Sequence, residues 1–208
     1  MAVRQQREFQ FDLTGGHIAL DMANTISRRE DAERRREHLE SYSDLVAFAV
    51  QDRILSAKQA NTLLLHANRN NASAVRSFRK AIVLREAIYR VFRDIAQRRP
   101  VRSNDLLAIN NSALQAVLHR QLSGGNGSYR WEWQTNDSQQ LDRILWPIAQ
   151  AAADLLTSDE LKLVRWCEAP DCEWLFLDHS RNRSRRWCDM ASCGNRAKAR
   201  RHYQRTRE

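Results

Sequence analysis

Cys167, Cys172, Cys188 and Cys193 are the only cysteines of the chain and follow the pattern C-x4-C-x15-C-x4-C. Two close pairs joined by a short loop can bring four thiolates to one tetrahedral Zn2+. Protein would then fill every ligand position, so such a zinc is structural and has none open to substrate. The alternative is two disulfides, which an even count permits in an oxidising compartment. The opening residues hold no apolar run of the secretory kind, and stretches such as Leu45–Val50 are too short to span a bilayer. A cytoplasmic location follows as the expectation, and there thiols stay reduced and paired cysteines bind metal.

The charge around these cysteines suggests a second chemistry. The 208 residues carry a net charge of +9. Between His179 and Arg207 lie ten basic side chains and one acid, Asp189, so 24 of each sign remain elsewhere and cancel. The whole excess therefore sits on the cysteine-rich end, as a footprint for a polyanion would. Arg181, Arg183, Arg185 and Arg186 precede Cys188, and alternate arginines of an extended loop point the same way, towards successive phosphates. Lys198, Arg200, Arg201 and Arg205 follow on a helix. At 100° per residue, Arg196, Arg200 and Arg207 share one side, and Lys198, Arg201 and Arg205 nearly the opposite one. The sequence does not choose between the two faces. Trp187 either stacks on a base or packs on the metal core. Arg196 either touches nucleic acid or supports the knuckle, and Asn195 orders the turn.

The elements that must position these residues are mostly helical. Phe9–Leu13 and Tyr129–Trp133 alternate at period two and read as a strand pair, while Ser123–Ser128 reads as a flexible loop. Helices are expected from Ser43 to Ile54, from a Ser56/Gln59 capping box onward, and from Ser73 to about Gln97. Another is capped by Ser103 and carries Leu106, Leu107, Leu114, Val117 and Leu118, and one from about Ser138 to Leu156 is kinked at Pro147. The fold class is thus mainly α: a helical N-terminal domain, 1–160, with a small strand pair, and a zinc finger, 161–208, of treble-clef-like order. In that order a knuckle and strand lead to a helix whose N-terminal dipole favours thiolates.

Within the helical domain Arg85 interrupts an apolar arc. A buried guanidinium needs acceptors, and Asp21 is the expected partner. The pair is either a structural ion pair or part of a ligand pocket in which Asp21, Asn24, Arg85, Trp131 and Trp133 hold a small anionic or aromatic effector. His17 fits either picture. Nothing resembles a catalytic constellation: there is no Gly-rich phosphate loop, no Ser/His/Asp arrangement and no open metal position.

Cys193-Gly-Asn-Arg196, with Trp174-Leu-Phe-Leu-Asp-His-Ser before the third cysteine, resembles the CGNR zinc-finger proteins over about the last 45 residues. Gly15-Gly-His-Ile-Ala-Leu-Asp-Met-Ala-Asn-Thr25 is similar to the Leu-Asp-Phe-x-Asn-Thr motif of their usual N-terminal companion, the ABATE domain, with Met22 where an aromatic is common. Leu84-Arg-Glu-Ala-Ile88 is also similar to that family. The resemblance implies a stress-linked bacterial transcription regulator. The expected partner is duplex DNA, and a homodimer and an effector for the N-terminal domain are compatible with it. An RNA-binding or protein-interaction zinc module is the alternative, but single-stranded RNA calls for stacking platforms, and only Trp187 and Tyr203 lie near the basic cluster.

Overall fold

Ser56 accepts a hydrogen bond from the Gln59 amide while the Gln59 side chain accepts from Ser56 N at 2.8 Å. This reciprocal cap starts α3 (Ala57–Arg69) where the sequence placed it. The computed structural model describes residues 10–134 and 140–206. Among them, α1 (Ile18–Ala23), α2 (Tyr42–Gln51), α4 (Asn71–Ala96), α5 (Ser103–Val117), α6 (Leu145–Thr157) and α7 (Asn195–Arg205) complete the helices. Three antiparallel ribbons join them: β1 (Ile26–Ser27) with β2 (Arg36–Glu37), β3 (Arg120–Gly125) with β4 (Ser128–Trp133), and β5 (Val164–Trp166) with β6 (Leu175–Leu177).

The 26-residue α4 is the axis of the fold, with α1, α2, α3, α5 and β5 packed around it. Its buried side chains Ala81, Leu84, Ile88, Val91 and Phe92 meet Leu20, Met22, Leu45 and Phe48 in one core. Leu163, Val164, Leu175 and Leu177 of the cysteine-bearing hairpin belong to that same core. The hairpin is therefore seated on the helical body. No helix among the described residues is long and apolar enough to cross a membrane.

Several sequence expectations are corrected. Residues 10–13 form no strand, and Phe9 lies outside the described residues. The Gln51 side chain accepts from Phe11 N at 2.7 Å and donates to Phe11 O, so that backbone is already engaged. Trp131 instead pairs with Leu122 across a turn in which Asn126 and Gly127 both have positive φ, 52° and 84°. Positive φ at both turn residues matches the twist of a tight hairpin, so the glycine-rich stretch is the end of a ribbon and no loose loop. The cap of α2 is Ser41, not Ser43, and Ser103 is the first residue of α5 behind an uncapped Arg102. Pro147 is the third residue of α6, where an amide has no intrahelical acceptor to lose, so the expected kink has no cause. Ser138, the expected start of that helix, is outside the described residues; a 3-10 turn over Leu141–Ile144 precedes α6. α5 buries Asp105, Ile109 and Ala116 and leaves Leu107, Leu114 and Leu118 facing outward.

Candidate metal centre and nucleic-acid interface

β5 delivers Cys167, and the knuckle that follows delivers Cys172. Cys167 N donates to Trp174 O at 2.8 Å, and Cys172 N to Ala169 O at 3.1 Å, closing the knuckle. Past β6, buried Asp178 organises the basic loop by accepting from Ser180 N at 3.0 Å, Ser180 Oγ at 2.6 Å and Arg185 N at 2.9 Å. Those hydrogen bonds hold its carboxyl below the usual range against the opposing effect of burial. The loop returns the chain to Cys188, whose amide points at Cys167 Sγ at 3.4 Å. Asp189 then caps the turn that carries Cys193 by accepting from Ala191 N and Ser192 N.

The four sulfurs lie within 4.8 Å of one another, with Cys172–Cys188 at 3.5 Å and Cys188–Cys193 at 3.7 Å. Sulfurs at zinc-bond length on a tetrahedron stand about 3.8 Å apart, so the cluster fits one Zn2+. All four cysteines are buried. Hydrogen bonding with the other three cysteines draws the Cys193 thiol far below its ordinary range, and the Arg196 charge adds to this.

Each residue of Cys-Gly-Asn-Arg has a physical task. A Cβ on Gly194 would sit 2.9 Å from Met190 Sδ and 3.6 Å from the Trp187 ring. Asn195 Nδ2 donates to Ala191 O at 3.0 Å and so orders the turn. Arg196 donates to Cys193 Sγ at 3.1 Å, which offsets thiolate charge. Trp187 packs against the cysteine cluster, so of its two readings the structural one holds.

The Asp-x-x-Asn-Thr segment has an equally concrete task. Asp21 Oδ1 accepts from Gly15 N at 2.8 Å, and Gly15 O accepts from Leu177 N at 2.9 Å. The Asn24 side chain accepts from Leu175 N at 2.9 Å and donates to Leu175 O at 2.8 Å, as a neighbouring strand would. Trp174 Nε1 donates to Ile26 O at 2.9 Å, and Glu30 N donates to Glu173. This segment clamps the finger's hairpin to the helical body.

The expected Arg85–Asp21 pair does not form. Arg85 is buried but bonds both oxygens of Glu37, at 2.6 and 2.8 Å, together with Glu86 at 2.9 Å and Thr25 Oγ1 at 3.3 Å. Glu37 arrives on β2, in the charged stretch between α1 and α2. His17 caps α1 by accepting from Ala19 N. The five residues of the expected effector pocket do not converge. Asp21 and Asn24 border a cavity of about 150 Å3 beside Phe11 and Trp174, Trp131 and Trp133 border a different groove, and Arg85 lines neither.

The structure also divides the basic residues. Asp171, on the knuckle, collects Arg200 at 3.2 Å, Arg196 at 3.7 Å and Arg28 at 3.8 Å. Its place beside Cys172 was the sequence signal for this role. Arg185 donates to Cys188 O and lies over the Phe176 ring, and Arg186 bonds Glu168. Arg181, Arg183, Lys198, Arg201 and Arg205 are exposed and have no ion pair or side-chain hydrogen bond among the described residues. The Lys198/Arg201/Arg205 side of α7 is thus the open one, because the other side is drawn to Asp171.

Comparison with known families finds two matches. The CGNR zinc finger matches residues 164–206, and ABATE, described as "Putative stress-induced transcription regulator", matches residues 16–159. Comparison with curated proteins finds no match. With more than half of its length matched to ABATE and its four-cysteine end to the CGNR finger, the chain belongs to the ABATE family and carries a C-terminal CGNR zinc finger.

Proposed function

We propose that the protein is a zinc-containing, non-catalytic transcription regulator that binds duplex DNA through its basic finger. One observation carries the reading: five cations, Arg181, Arg183, Lys198, Arg201 and Arg205, are exposed and unpaired among the described residues, beside the buried metal centre. Cations without protein carboxylates are free to replace the counterions of phosphates. α7 has no buried residue and leaves its length open to a groove. Duplex DNA is favoured over single-stranded RNA because Trp187 is engaged on the metal core, leaving Tyr203, 68% exposed, and its neighbour His202 as the aromatic rings on α7.

The test is fluorescence anisotropy of the zinc-loaded protein with duplex DNA, single-stranded DNA and RNA across a salt series. Five phosphate contacts give a slope of log K against log salt of about −4.5, a loss of roughly 500-fold between 50 and 200 mM salt. A slope near zero would remove phosphate binding from the reading. Equal affinity for all three nucleic acids would remove the preference for duplex.

A further inference from the structure

We infer that the groove under the β3–β4 hairpin is a binding site for a small aromatic carboxylate, anchored by Arg143. Arg143 stands in the 3-10 turn before α6 and is only 8% exposed. Among the described residues its guanidinium has no hydrogen bond and no ion pair. The nearby acids are engaged elsewhere: Asp142 with Lys80, and Glu132 with Arg130 at 2.7 Å. The one hydroxyl whose electrostatics it affects, that of Tyr42, donates its proton to Leu141 O at 2.9 Å. Among the described residues the other largely buried guanidiniums, Arg85 and Arg29, have carboxylate partners. A largely buried cation with no protein acceptor is poorly solvated, and its nitrogens, which still reach solvent, are open to an acceptor from outside the chain.

The surroundings define that group. Arg143 lines a groove of about 360 Å3 together with Trp131, Trp133, Ile54, Leu55 and Pro147. This is within the size range of small-molecule sites, and it combines flat apolar walls with a single lining cation. The indoles are held in place: Arg120 lies over the rings of Trp131 and Trp133 at 4.9 and 5.5 Å, and Trp133 leans on Trp146 at 6.2 Å. Such walls suit the faces of an aromatic ring, and the planar guanidinium suits the two oxygens of a carboxylate. Glu132 also lines the groove, and its negative charge disfavours a doubly charged phosphate, so a monoanion fits best. This proposed site shares only Trp131 and Trp133 with the expected pocket and takes a different arginine. The sequence gives no sign of this, because Arg143 lies between Asp142 and Ile144 like an ordinary surface charge.

The full-length, zinc-loaded protein is titrated with 2-naphthoate and with neutral 2-naphthamide. Binding is followed by tryptophan fluorescence and saturation-transfer NMR, independently of any nucleic acid. Naphthoate should saturate the signal and bind at least about tenfold more tightly than the amide. Arg143→Met and, separately, Trp131→Ala should each weaken naphthoate by about tenfold or more. Trp131 is 57% exposed, so its replacement leaves the core intact and keeps the test available if Arg143→Met folds poorly. Without probe, Arg143→Met should melt no lower than the parent, whereas an arginine with a hidden structural partner would lower the melting point. Equal binding of acid and amide, absence of saturation, or naphthoate affinity unchanged in either variant would overturn the site. None of these outcomes bears on DNA binding, so the two readings fail separately.

Discussion

Asn24 gives the sharpest test of how the finger is joined to the helical body. Its side chain is 3% exposed and satisfies both backbone groups of Leu175, which is fully buried in β6. Asn24→Ala leaves one N–H and one C=O in the core without partners. Each such group costs about 1–3 kcal/mol, so the loss for the two should be about 2–6 kcal/mol. For a chain of this length a melting point falls by roughly 2–4 °C per kcal/mol, which predicts a drop of about 4–24 °C. Asn24→Asp separates the two bonds: a carboxylate still accepts from Leu175 N but repels Leu175 O, so this variant should lose at least as much as alanine. Scanning calorimetry of the zinc-loaded protein measures the drop, and a coloured zinc chelator measures how fast each variant gives up metal. Both variants should release zinc faster, since the loosened strand lies between the two cysteine pairs. A drop under about 2 °C, or Asp behaving as the parent, would refute the clamp.

Further outcomes follow from the same contacts. On the finger, Lys198→Ala, Arg201→Ala and Arg205→Ala should each reduce the DNA salt slope by about one, whereas Arg200→Ala, whose partner is Asp171, should leave it nearly unchanged; equal effects would erase the distinction between the two faces of α7. Arg85→Met strands Glu37 and should cost about 3 kcal/mol in urea denaturation, and a neutral result would mean the ion pair is dispensable. Burial pushes Asp21 up to about 7 and Asp52 up to about 6, so the folded state holds protons that the unfolded chain releases near pH 4. Their stabilising protonation is fully present below about pH 4 and is lost as pH rises from there through 6 and 7. Melting points should therefore fall over that window, and Asp21→Asn, which keeps an acceptor for Gly15 N, should flatten the fall; an unchanged pH slope would sink the assignment. Stripping the zinc should expose Trp174 and Trp187 to solvent and lower the melting point of the whole chain, since the finger's hairpin is part of the main core.

What was legible in the sequence is what short-range physics decides. Cysteine spacing selects a tetrahedral metal site because four thiolates need only one turn and one loop to meet. The Ser56/Gln59 cap and the apolar period of α4 likewise depend on neighbours a few residues away, and both appear where the sequence puts them. The excess charge on the finger is a matter of counting. What only the tertiary structure decided is the choice of partners. Glu37 rather than Asp21 meets Arg85, because β2 folds back over α4. Asn24 holds a strand about 150 residues away instead of a ligand, and Asp171 takes one face of α7, leaving the other open. Among the described residues Arg143 is left without a hydrogen bond or ion pair. Charges and amides that pair across a fold carry no local period and no fixed spacing. Only the packing of α4 against α1, β2 and the finger's hairpin determines which of them come within 3 Å.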